Sequence, residues 1–590
     1  MRRTTLLLAA LLIAAAGALG GCVTLPDEGP VRSVAVNDTG DGEALVDYIP
    51  PGPEPGSGRV RLVDSFLTSM TATPLSTRVA REFLAAPGGR GWDPGRGTVS
   101  YGSQQLVKGP GNRFTLRLRD IVELDARGAW LGDPTAGRGY DYPLRLVRRA
   151  GQWRIANPPD RLLVPRAHFT SQYQQFQLFF FDESARVLVP ELVFVPRGRQ
   201  APTLLVAALL RGPEPELRDV VRTFLPAVAT PEGLSVPVSR SGTAEVPLGR
   251  EVLDLDAGRL RRLFAQVSWT LGQLPGVERV RITVDGSPVS AGGSRNEVGV
   301  DEWSEFDPAV VWAATDLYGL RGGRVVTLDS GGEEQVSGPL GGVSLGLRSV
   351  AVDLMAQRIA GVRANGRRVV ESDRDGVPGK RPTMADVRSV YVGTDVLRPA
   401  YDLYGQLWIV DRTATGARLS VIGPGAPAQT VAAPGLTGRR VGRFVLSRDG
   451  TRLATEVRGA RRDELLVARV RRDPKGRVLG VGAGRRLAMP RPVGRVEDVA
   501  WSGPSALAVL VRPTSDTSRV LAVEVDGSSD PGQDLDVDLF AGRAVQLVSS
   551  ASRVPLFVGT ADGRFFGLSQ GVHWKRAPIK AGLRALTYPG

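Results

Sequence analysis

Short apolar segments of similar character recur through the last half of the chain, spaced by roughly 46 to 54 residues. They are "AQRIAGV" around Ile359, "GQLWIV" around Leu407, "DGTRLATEV" around Leu453, "SALAVLV" around Leu507 and "SRVPLFV" around Leu556, with a weaker one around Trp312. A unit of that length cannot bury a core alone, so it must stack against copies of itself. Turn pairs fall between the segments at Asn365-Gly366, Asp449-Gly450, Asp526-Gly527 and Asp562-Gly563, because such pairs readily adopt positive φ. The pattern predicts a β-propeller of about six four-stranded blades over residues 300–590, whose sheets tile a ring and hide their edges. The C-terminal "LRALTYPG" is placed to supply a strand to the first blade and close the ring. A pair of β-sandwiches is the alternative.

At 590 residues and 42% hydrophobic content the chain is long enough for roughly three or four domains. Its amino end carries a short basic start, Met1-Arg2-Arg3, and an apolar run from Leu6 to Leu19 that is short for a membrane span. Leu19-Gly20-Gly21-Cys22 follows, and Cys22 is the one cysteine of the chain. This resembles the bacterial lipobox, which implies cleavage of residues 1–21 and an N-palmitoyl, S-diacylglycerol cysteine at Cys22. The alternative is a buried free thiol behind an ordinary signal peptide. Several acyl chains on one residue anchor a protein stably where a single chain holds it marginally. The expectation is therefore a cell-membrane lipoprotein whose body stands on the extracytoplasmic face. With no second cysteine there is no internal disulfide, and stability must come from packed cores. Residues 22–58, rich in Pro, Gly, Asp and Glu, read as a flexible tether spanning on the order of 30 Å, the alternative being part of a packed domain.

The first folded unit, residues 59–165, opens with Val63, Phe66, Leu67 and Met70 on one helix face and a second short helix through Val79, Phe83 and Leu84. Strands follow at Phe114–Leu124 and Tyr142–Val147, and Gly151-Gln152-Trp153-Arg154-Ile155 closes the unit. Helices first and then a curved antiparallel sheet ending in a Gly-x-Trp-x-Ile strand are similar to the nuclear-transport-factor-2-like (NTF2-like) α+β cone fold. In residues 170–290, strands are expected at Phe176–Phe181, Leu188–Val195, Leu234–Val238, Ala244–Val246, Glu251–Leu255 and Val280–Val284, with helices at Thr203–Leu210 and Arg259–Gln273. The phenylalanine-rich first strand, "LLRGP", "TFLP" and "QVSWTLGQLPGVERVRITVDG" together resemble the α+β GerMN domain, known from exported envelope proteins.

Chemistry is narrowed by what is scarce. His168 and His573 are the only histidines, so a Cys/His metal cluster and a Cys-His nucleophile are excluded. Gly342-Val343-Ser344-Leu345-Gly346 matches a nucleophile elbow but lacks the strand-to-helix context and a neighbouring histidine. Gly480-Val481-Gly482-Ala483-Gly484 lacks the lysine of a phosphate loop, and Asp373-Arg374-Asp375-Gly376 lacks the closing Glu of a calcium loop, Pro382 standing there. Asp254 and Asp256, alternating on the expected strand, would share one face without a partner carboxylate on another element. His573 beside Trp574 reads as a packed or surface residue, and His168 as a linker residue. No catalytic, cofactor-binding or metal-binding residue is assigned, and the chain is not expected to be an enzyme. The formal charge of +14 does not point to nucleic acid, since an exported protein does not meet the genome and the basic residues are scattered. It leaves open attraction to anionic headgroups or cell-wall polymers.

The order of lipobox, tether, small α+β domain, GerMN domain and propeller resembles the LpqB family of actinobacterial lipoproteins over nearly the whole chain. The resemblance implies an accessory role for a membrane two-component system, through association with the extracellular domain of the sensor histidine kinase MtrB. Signalling to its regulator MtrA would then be modulated, affecting envelope homeostasis and division. The residues alone support a tethered binding protein. The rival readings are a structural envelope protein that binds peptidoglycan or glycolipid and, more remotely, an enzyme using carboxylates in the propeller channel.

Overall fold

In a propeller every sheet buries both faces, each against a different neighbour, and strand periodicity makes this visible residue by residue. The computed structural model describes residues 47–590 except 133–138, 227–232, 293–294, 311, 330–331, 461, 490–493, 529–538, 551–554 and 570–572. Cys22 lies outside the described residues, as does most of the expected tether. Among the described residues, six four-stranded antiparallel sheets follow one another from Leu317 to Thr587, one of them with an added short strand. In the sheet centred on Arg358–Arg363, Ile359 packs with Tyr318 and Leu320 of the preceding sheet, whereas its neighbour Ala360 packs with Tyr401 and Ile409 of the following one. Leu453 and Ala454 divide in the same way between the sheets before and after theirs. Six apolar clusters thus sit between six adjacent pairs of sheets, the last joining Val548 and Phe565 to Val326 across the start of the ring. Two face-to-face sandwiches would not produce this alternation, so the ring is a six-bladed β-propeller.

The recurrent segments are the second strands of blades II to VI: Arg358–Arg363, Leu407–Thr413, Arg452–Val457, Ala506–Arg512 and Phe557–Thr560. Trp312 is no counterpart. It is exposed and outside any strand, and the corresponding strand of blade I is Leu317–Arg321. The inner strand of blade I comes from the carboxyl end, Arg584–Thr587, pairing Tyr318 with Thr587 and Leu320 with Arg584. In the four expected turn pairs only the glycine takes positive φ, between 70° and 76° in Gly366, Gly450, Gly527 and Gly563.

The first unit begins before its first helix, because Tyr48 and Thr73 exchange two backbone hydrogen bonds. Helix Arg59–Thr68 buries Leu62, Val63, Phe66 and Leu67 as one stripe. Against it lie Phe114, Leu116 and Leu118 of strand Arg113–Arg119, which alternate with outward polar residues. The sheet is split in two. One part is four antiparallel strands ordered Ser103–Lys108, Arg113–Arg119, Tyr140–Arg149, Gln152–Ile155; in the other, Thr98–Tyr101 pairs with Val122–Leu124 and, in parallel, with Leu162–Pro165.

In the second unit, Tyr173–Asp182, Leu188–Pro196 and Val221–Arg222 form one sheet. Thr243–Leu248 and Arg279–Val284 form a parallel pair in the other, and helices Ala257–Leu271 and Ala201–Leu210 pack in the same core. Trp303 and Phe306 complete that core. The expected strand Glu251–Leu255 is instead the 3-10 turn Arg250–Asp254, and Leu234–Val238 reduces to one bridge between Val238 and Ala244. Asp256 caps the following helix by accepting from the Arg259 backbone N–H at 2.9 Å, so the chain must turn where a strand was expected. Asp254 and Asp256 therefore do not line a shared strand face.

Candidate functional site

The inner strands of the six blades touch in ring order and surround an axial channel whose two ends differ. One end is closed by the second unit. There the turn Asp402–Gln406 of blade III is organised by Asp402, which accepts from the backbone N–H groups of Tyr404 and Gln406 and from the Trp408 indole at 2.7 Å. The turn presents Tyr404, whose hydroxyl donates to Asp182 at 2.6 Å and lies 2.9 Å from Ser184 Oγ. Burial and the adjacent Asp182 carboxylate push the Tyr404 hydroxyl pKa upward, keeping it a donor. Arg472 ion-pairs with Asp402 at 2.8 Å and lies over the Tyr404 ring, joining blades IV and III. In blade IV, Arg452 is 1% exposed, pairs with Asp449, donates to the Pro504 carbonyl of blade V and reaches the Pro190 carbonyl of the second unit. Gln175 and Gln177 donate to Ser528 and Ser505 of blade V at 3.1 and 2.9 Å. Arg448 donates to the carbonyls of Ala309 and Pro589, and burial lowers its pKa to about 10. Inside the channel lies a cavity of about 60 Å³, bounded by Arg398, Trp501 and residues Leu586 to Gly590.

All three folded units meet beside the seam. Arg127 of the first unit pairs with Glu191 of the second at 2.6 Å and with Asp125 at 2.8 Å, near Arg452 and Arg469 of the propeller. Burial outweighs the Arg127 charge and pushes the Glu191 carboxyl up to about 7; Glu456, buried in blade IV, is pushed to about 7 by burial as well. A glutamate in the unfolded chain titrates near 4.5, so between there and about 7 the folded protein holds protons that the unfolded chain has lost. Stability is therefore expected to fall as pH rises through that window, by about 3 kcal/mol for Glu191. Thermal unfolding followed against pH checks this, and Glu191→Gln should flatten the curve.

The opposite end is open. Its mouth is a cavity of about 550 Å³ lined by Arg348, Arg398, Arg412, Arg443 and Arg584, with Asp498 on the wall. Arg348 and Arg412 share Asp395, the former at 2.7 Å, and Arg443 Nε lies 3.2 Å from Asp498. Sequence reading treats the arginines as scattered; the ring gathers these five. Arg348, Arg398, Arg443 and Arg584 each stand within two residues of the start of an inner strand, about one blade apart for the first three. Aligning the repeats would have revealed that signal.

The discounted motifs stay unassembled. Ser344 is exposed and donates to the Gly322 carbonyl at 3.2 Å; Asp375 is engaged by Arg374 and Ser337. His168 lies in helix Arg166–Gln172 with its ring edge against Tyr173, not in a linker; His573 is exposed on the outer strand His573–Arg576 of blade VI. Among the described residues no group of three or more His, Cys, Asp or Glu is placed to hold a metal, and no helix is long and apolar enough to cross a membrane.

Family models match the three folded units in order: "Lipoprotein LpqB, N-terminal domain" over residues 52–170, "Sporulation and spore germination" over 177–290, and "Lipoprotein LpqB beta-propeller domain" over 323–578. The chain is similar to Lipoprotein LpqB of Thermobifida fusca, at 27% identity over 95% of each chain. It is likewise similar to that of Streptomyces coelicolor, at 27% over 97% of this chain and 96% of the other, and to that of Mycolicibacterium smegmatis, at 26% over 95% and 94%. Among solved structures, the first GerMN domain of the sporulation protein GerM from Bacillus subtilis matches 21% of this chain and 96% of its own, with 21% identity and a TM-score of 0.18. With its α+β and propeller units matched in this order and relatives aligned along almost its full length, the chain belongs to the LpqB family of lipoproteins.

Proposed function

We propose that this lipoprotein is an extracytoplasmic binding protein, held to the membrane through acylated Cys22, that associates with the extracellular domain of a sensor histidine kinase and modulates its signalling. It is no enzyme on this reading. The observation that carries it is the asymmetry of the propeller: one end of the channel is consumed by the second unit, while the other leaves a wide, charged rim free for recognition. Confining both partners to one membrane raises their effective concentration, so even weak contacts are populated. The lipoprotein shifts the kinase if it contacts one kinase conformation more favourably than another. Kinase autophosphorylation in reconstituted membranes is expected to change when the lipoprotein is added, and Cys22→Ala should weaken the effect at equal protein concentration. No capture of the kinase ectodomain together with unchanged phosphorylation would refute the reading.

A second reading, an envelope protein that binds an anionic wall polymer or glycolipid, is favoured by the arginine-lined mouth. It predicts salt-sensitive co-sedimentation with isolated cell walls that is independent of any kinase.

A further inference from the structure

We propose that the open mouth of the propeller channel is a binding site for a multiply charged oxyanion of the phosphate class, clasped by Arg398 and Arg584. The inference stands on the channel alone and holds whether or not a kinase is the partner.

Of the five guanidinium groups that line the mouth, three are ion-paired within the wall: Arg348 and Arg412 share the carboxylate of Asp395, and Arg443 pairs with Asp498. Asp498 is itself fixed, accepting from the backbone N–H of Leu547 at 2.9 Å. Arg398 and Arg584 have no hydrogen-bond or ion-pair partner among the described residues. Each follows a buried leucine, Leu397 and Leu583, which are 7% and 0% exposed. Arg398 is half-buried and borders both the mouth and the smaller cavity of the channel, so it marks the throat.

Arg398, half withdrawn from water without a partner, is costly to leave bare, Arg584 is exposed at the rim, and a cleft with an excess of one sign concentrates counter-ions. Guanidinium offers paired N–H donors whose spacing fits two oxygens of a phosphate. Five cations facing two carboxylates leave an excess of three positive charges, which a phosphate group offsets more fully than a single carboxylate does. A volume of about 550 Å³ admits a small ligand, a headgroup or the end of a chain, and excludes a folded domain.

The test is calorimetric titration of the full-length protein in uncharged detergent with inorganic phosphate, glycerol 3-phosphate and succinate at matched ionic strength. Both phosphates are expected to bind and succinate to bind more weakly. Arg398→Gln and Arg584→Gln should each weaken phosphate binding by about 10–100-fold without moving the thermal unfolding temperature. Absence of binding by either phosphate up to about 10 mM, equal binding of succinate, or unaltered affinity in both variants would overturn the proposal. Competition by phosphatidylglycerol vesicles, and none by phosphatidylcholine vesicles, would support the site and assign its ligand to a lipid headgroup. Binding of the free phosphates without vesicle competition would support it and assign a soluble or polymer-borne phosphate.

Discussion

Deleting Leu583 to Gly590 is expected to leave a propeller that no longer unfolds as a cooperative ring. The segment supplies the inner strand of blade I, and Leu583 and Leu586 are fully buried with Tyr588 beside them in the cluster joining blades VI and I. It also accepts from Gln546 at the Leu586 carbonyl, donates from the Gly590 N–H to Val352, and gives the Pro589 carbonyl to Arg448. Burial of the two leucines alone contributes about 1.5–3 kcal/mol each, and the deletion exposes unpaired strand edges that invite aggregation. Size-exclusion chromatography and thermal denaturation monitored by circular dichroism should show aggregated or partly unfolded material. Arg584→Gln, which keeps the strand, should behave as the parent. A truncated protein with an unchanged melting profile would show that the ring is held by its other five junctions alone.

The second large effect is expected at Arg472, which is buried within blade IV. Its guanidinium pairs with Asp402, donates to Gln406 and to the Gly450 and Gly476 carbonyls, and covers the rings of Tyr404 and Trp408. Arg472→Ala strands the buried Asp402 carboxylate, and removing one partner of such a pair costs about 3–5 kcal/mol. The turn bearing Tyr404 then loses its support, so the seam with the second unit should loosen together with blades III and IV. A fall in the main thermal transition and faster proteolysis around Tyr404 are the readouts. Combining Arg472→Ala with Asp402→Asn should cost less than the two changes summed, because the stranded charge is gone. Strict additivity would deny the coupling.

What could be read in the sequence follows from which residues face two neighbours at once. Second strands such as Leu407–Thr413 are buried on both faces, so they appear as apolar runs that recur with the blade length. The closing role of the carboxyl end was legible for the same reason, as an unpaired strand pattern left over after the last repeat. Other elements depend on contacts distant in sequence. Glu251–Leu255 has alternating character yet forms a 3-10 turn, since the cap at Asp256 and the helix behind it fix the backbone path. Leu162–Pro165 joins the first unit only because Thr98–Tyr101 offers it a parallel edge. The arginines of the mouth lie far apart in sequence between Arg348 and Arg584, and only closure of the ring makes them neighbours. The seam around Tyr404 was missed because its Asp-organised turn resembles any other polar loop until Asp182 is seen opposite it.

Polypeptides are made from the amino end onward, and in this one the last few residues occupy the innermost position of the first blade. Blade I therefore waits, with a vacant slot, until Arg584–Thr587 has been made. A product stopped or clipped before Arg584 is left with an open cylinder, so closing the ring ties the two segments of the propeller most distant in sequence into one step of folding.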